Sequence, residues 1–145
     1  MESIDKIEEQ VVEEFSVFDD WMDKYEYIID IGKNLAPLED TYKTDLNKVT
    51  GCQSQVWLSA EMKDGNLYYK ADSDAIITKG LIALLIRVLS GHKPEEIIDA
   101  KLGFLDKIGM RGHLSPTRSN GLVSMIAHMK KYAEKAKLNE PLSLN

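Results

Sequence analysis

The 145-residue chain has a single cysteine, Cys52. That count excludes an internal disulfide, a Cys-x-x-Cys redox pair and a thiolate cage for zinc or an iron–sulfur cluster. Proline and glycine are sparse and scattered, so no linker divides the chain, and no internal repeat is present. Long apolar runs are missing too. The longest covers residues 81–86, against the roughly 20 residues that span a bilayer. There is no basic excess: 18 Lys and Arg face 24 Asp and Glu, a net charge of −6. An acidic chain repels phosphate backbones, so nucleic acid is not an expected partner. The opening Met1-Glu2-Ser3-Ile4-Asp5 has neither the basic nor the apolar region of a secretory signal, and a cytoplasmic, membrane-free protein is expected.

What is present suits one globular domain over residues 1–145. Hydrophobic residues make up 43% and charged residues 29%, and a chain of this length can bury a core without staples. Charge is uneven. Residues 1–40 carry 13 acids against three lysines, and residues 41–145 carry 11 against 15 Lys and Arg. This reads as an acidic, solvated helical face ahead of a mildly basic body.

Ile4, Ile7, Val11, Val12 and Phe15 recur at helical spacing and predict a helix over residues 3–16. Trp21, Tyr25, Ile28 and Ile29 form the next apolar stripe, with Gly32 placed to end it. The period then changes. Val56, Leu58, Ala60 and Met62 alternate with polar neighbours, Asp64-Gly65 supplies a hairpin turn, and Leu67, Tyr69 and Ala71 continue the alternation. Residues 42–49 are the candidate for a third strand beside this hairpin. Residues 75–89 are apolar nearly all round and predict a buried central helix, with Asp74 as its N-cap. Pro94 opens a short helix, and Ser115-Pro116-Thr117 opens a last one with the stripe Leu122, Met125, Ile126, Met129 and Tyr132. The order of elements is that of an α+β domain: a small three-stranded antiparallel sheet with helices packed on one face.

Cys52 falls in Gly51-Cys52-Gln53-Ser54-Gln55-Val56-Trp57, where the chain enters the hairpin. Most lone cytosolic cysteines are small inert hydrophobes. Here Gly51, Gln53 and Ser54 are not core neighbours. A loop thiol flanked by backbone N–H groups and polar side chains can be exposed and partly ionised. Val56 and Trp57 read as core residues of the hairpin. His92, His113 and His128 lack metal-ligand spacing and read as structural or surface residues. Arg118 is one of three arginines and sits at a helix start, an unfavourable end for a cation, which points to an anionic partner.

The stretch Gly51 to Trp57 resembles the signature of the SufE family, the sulfur acceptors of cysteine desulfurases. Three further blocks resemble the family in the same order: Trp21 with residues 24–32, Asp72-Ser73-Asp74-Ala75 with residues 79–83, and residues 113–122. The resemblance implies a SufE/IscU-like fold and a Cys52 that accepts persulfide sulfur. It implies a SufS-like, PLP-dependent cysteine desulfurase as donor and a SufBCD-like iron–sulfur scaffold complex as recipient. On this reading the chain carries no cofactor or metal of its own, since PLP belongs to the desulfurase. Gly51, Gln53 and Ser54 would shape the loop or touch the partner. Asp74 would help position the loop, and Arg118 would favour a thiolate or persulfide anion. Cys52 is expected to be largely covered in the free protein and to swing out on docking. The cysteine count fits a carrier and not a cluster scaffold. The alternatives are a paralogous acceptor branch serving a different desulfurase, and a cysteine hydrolase or transferase with a histidine base. A homodimer, if one forms, is expected to be weak.

Overall fold

The structure is a computed structural model and describes residues 2–142. Helix α1 (Ile4–Phe15) begins where the Ser3 hydroxyl accepts the Lys6 N–H, and it buries Ile4, Val11 and Phe15. Helix α2 (Trp21–Lys33) is capped by Asp20, whose carboxylate accepts the Met22 N–H at 3.0 Å. Gly32 does not end α2. It lies inside the helix, where a Cβ would come within 2.7 Å of the Gly80 backbone nitrogen. Gly80 likewise lies against the Ile28 carbonyl with no room for a methyl group. The glycine pair thus lets α2 cross the central helix α3 (Ile76–Leu89) backbone to backbone. Ten of the fourteen residues of α3 are buried, in keeping with its largely all-round apolar pattern.

Strands β1 (Val56–Lys63) and β2 (Asn66–Ser73) form the antiparallel hairpin, with Val56 opposite Ser73 and Leu58 opposite Ala71. The Asp64-Gly65 turn has φ of 54° and 83°, the left-handed pair that a two-residue hairpin loop needs. The inner face carries Val56, Leu58, Leu67, Tyr69 and Ala71, all buried. Against it lies the long last helix, Pro116–Lys137. Its Tyr132 hydroxyl donates to the Leu58 carbonyl at 2.8 Å, and the Tyr69 hydroxyl donates to the Met129 carbonyl at 2.6 Å.

The expected third strand is not formed, and the sheet has two strands among the described residues. Residues 42–49 are turns. Short 3-10 segments cover Asp40–Tyr42 and Asp45–Asn47, and a lone bridge joins Lys48 to Trp57. The reason is local side-chain chemistry. The Asn47 amide donates to the Tyr42 carbonyl at 2.9 Å and closes the turn. Lys43 meanwhile reaches outward to Asp72 at 2.9 Å and to Asp40 at 3.3 Å. Helices α4 (Pro94–Asp99), α5 (Phe104–Lys107), α6 (Met110–His113) and α7 (Pro116–Lys137) complete the chain. The α+β class stands, and the buried apolar side chains of helices and hairpin form one cluster.

Candidate functional site

The Cys52 loop is pinned at its base. The Val49 N–H donates to the Val56 carbonyl at 2.8 Å, so residues 50–55 project as a closed loop. Its flank is tied to the start of α3. The Gln55 N–H donates to the Asp74 carboxylate at 2.9 Å, the Asp74 N–H donates to the Gln55 carbonyl at 3.2 Å, and the Ser73 hydroxyl donates to that carbonyl at 2.8 Å. Asp74 is therefore not the helix cap. The cap residue is Ala75, without a side-chain bond, and the exposed Asp74 carboxylate holds the loop instead. Gly51 turns the chain at φ 88° and presses on Ser124 of α7, where a Cβ would overlap the hydroxyl.

These ties set Cys52 over a cavity of about 110 Å³ between the loop, α3 and α7. Cys52, Gln53, Ser54 and Arg118 all line it; Gly51 and Asp74 shape the loop from outside the lining. The Cys52 thiol is half-buried and donates to the Gly121 carbonyl at 3.7 Å. Burial pushes its pKa up from the ordinary thiol range. Donation to a carbonyl also favours the protonated form, so this is a resting thiol and not a partly ionised one. It is also less covered than expected.

Arg118 lies in the first turn of α7, beside the Ser115 hydroxyl that caps the helix by accepting the Arg118 N–H at 3.2 Å. Its side chain is exposed, and no carboxylate of the described residues pairs with it. Trp57 is not core. It is half-buried on the outer face of β1, with the Lys43 ammonium 5.9 Å from its ring. Val56 is fully buried, as expected.

Thr78, Leu81, Thr117, Gly121 and Met125 also line the cavity, and none was singled out from the sequence for this role. Gly121 carried a readable signal. A glycine inside a long helix costs about 1 kcal/mol against alanine and often marks a close approach. Here the approach is the sulfur, which would lie 3.4 Å from a Cβ at position 121. Among the described residues no histidine lines the cavity, and no group of three His, Cys, Asp or Glu could hold a metal ion. Nor is any described helix long and apolar enough to cross a membrane.

The SufE family, described as an Fe-S metabolism associated domain, matches residues 9–133. An uncharacterized SufE-like protein of Rhizobium meliloti is 42% identical over 132 residues, covering 87% of this chain and 94% of the relative. The Arabidopsis thaliana SufE-like protein 1, chloroplastic/mitochondrial, is 43% identical over 126 residues. That alignment covers 86% of this chain but only 34% of the longer plant protein. A hypothetical protein of Thermus thermophilus, solved in solution, has the same fold. Its TM-score is 0.75 at 20% identity, over 91% of this chain and 96% of that one. The family match over most of the length, with relatives near 40% identity, establishes that this chain belongs to the SufE family.

Proposed function

We propose that this protein is a cytoplasmic sulfur carrier that takes persulfide sulfur from a PLP-dependent cysteine desulfurase onto Cys52. It then passes that sulfur to an iron–sulfur assembly scaffold. The observation that carries the reading is the lone thiol on a pinned loop over a small cavity, with an unpaired guanidinium on the rim. In the step itself, the Cys52 thiolate attacks the terminal sulfur of the donor's persulfide. A new S–S bond forms at Cys52 as the donor's S–S bond breaks, and the electron pair leaves with the donor's own sulfur, which departs as a thiolate. Cys52 ends as a persulfide, and no second cysteine, metal or cofactor on this chain is needed.

At rest the thiol is protonated and hydrogen-bonded inward, which suits a carrier that should not react before docking. Docking supplies contacts that draw the loop outward and favour the thiolate. Arg118 would meet the donor's persulfide anion or an acidic group beside it. A cysteine hydrolase is disfavoured by the absence of a histidine from the cavity lining. The test is desulfurase turnover with cysteine as substrate. Added wild-type protein should raise it, and the Cys52→Ser variant should not, because a hydroxyl forms no nucleophilic anion near neutral pH. Equal stimulation by both would overturn the proposal.

A further inference from the structure

We propose that His113 is a positioning residue for the Cys52 site: by stacking on Trp21 it fixes the start of α7, and with it the place of Arg118 on the cavity rim. The inference rests on the assignment of Cys52 and Arg118 to one site.

The contacts converge on a short stretch of chain. Trp21, Lys24 and Tyr25 stand at i, i+3 and i+4 on one face of α2. Each of them reaches residues 108–113. The Lys24 ammonium donates to the Ile108 carbonyl at 3.3 Å, and the Tyr25 hydroxyl donates to the His113 carbonyl at 3.3 Å. The Trp21 and His113 rings stack with centroids 4.2 Å apart and planes 21° apart. Behind the stack, His113 Nδ1 meets the Gly109 carbonyl at 2.9 Å, which makes Nδ1 the protonated nitrogen. Gly109 has φ 78°, a left-handed turn that brings its carbonyl back to the ring.

The Trp21 indole N–H is buried and has no hydrogen-bond partner. Buried indoles usually find one. This ring is therefore held by its faces, against His113, Tyr25 and the Lys24 ammonium, and not by its polar atom. From His113 the chain runs through buried Leu114 to the Ser115 cap, and then to Thr117 and Arg118 on the cavity. Only the extended Leu114 and Ser115 separate the stacked residue from α7, so a shift at His113 is passed directly to the helix start.

The test uses two alkylating reagents on the free protein, with no desulfurase, so it does not depend on whether Cys52 accepts sulfur. Iodoacetate is an anion and iodoacetamide is neutral. A cation on the rim raises the ratio of their rates at Cys52, and loosening of the fold alone raises both rates together. Arg118→Ala sets the floor of the ratio. His113→Ala should lower the ratio several-fold towards that floor and should change nothing further in an Arg118→Ala background. His113→Phe, which keeps a flat ring against Trp21, should restore most of it. The proposal is overturned by any of three results: an unchanged ratio in folded His113→Ala, an Arg118→Ala ratio equal to wild type, or a His113→Phe ratio as low as that of His113→Ala.

Discussion

Replacing Asp74 by alanine removes one of the three hydrogen bonds that tie Gln55, and with it the flank of the Cys52 loop, to the start of α3. The lost bond is charge-assisted but its carboxylate is exposed, so its net worth is about 1 kcal/mol. If the loop must leave this clasp before Cys52 meets a reagent, the open population rises roughly five-fold. Iodoacetamide should therefore modify Cys52 about five-fold faster in Asp74→Ala, at a rate unaffected by low denaturant. The native state loses the same bond, so Tm should fall by about 2–4 °C. Asp74→Asn keeps an acceptor at that position and should fall between the two. An unchanged alkylation rate, or an increase seen only as denaturant unfolds the whole chain, would refute the view that this clasp holds the thiol.

Burial raises the Cys52 pKa in the folded protein, so the folded state keeps its proton where the unfolded thiol has lost it. That contribution to stability is complete below the unfolded thiol's pKa of about 8.5 and is lost as pH rises through the higher folded value. The stability difference between wild type and Cys52→Ser should accordingly shrink on the alkaline side, as followed by denaturant titration from neutral pH upward. Gly51→Ala should destabilise by more than about 1 kcal/mol, because φ 88° and the Ser124 overlap both penalise a Cβ, and adding Ser124→Ala should recover only part of the loss. Tyr132→Phe should cost about 1–2 kcal/mol in the same titration, since its buried hydroxyl donates to the Leu58 carbonyl. Gly80→Ala places a methyl against the Ile28 carbonyl and should prevent α2 from docking, read as loss of a cooperative thermal transition.

Elements with a strong period were legible in the sequence: α1, the hairpin with its Asp64-Gly65 turn, α3 and the capped, proline-led α7. Their patterns follow from burial on one face or all round, which local sequence records. The third strand was misread because residues 42–49 have mixed polarity, and their fate is decided by Asn47 closing a turn and Lys43 seeking Asp72. Gly32 looked like a helix stop because its other use, a close crossing, depends on a glycine 48 positions away. Asp74 looked like a cap because Asp before an apolar run usually is one. The competing donor, Gln55, belongs to a loop whose position is set by the hairpin. At the site, Cys52 stood out through its solitude and its polar neighbours. The cavity walls from α3 and α7 did not, since Leu81 and Met125 are apolar stripe residues that only tertiary packing turns toward a sulfur.

The central claim concerns where sulfur goes. The protein is incubated with a cysteine desulfurase, PLP and cysteine, re-isolated without reductant, and weighed intact. The account predicts a species heavier by one sulfur atom, about 32 Da, which disappears on reduction and is absent from Cys52→Ser. A wild-type chain that gains no labile sulfur while the desulfurase turns over, or a Cys52→Ser chain that gains it, would contradict the account.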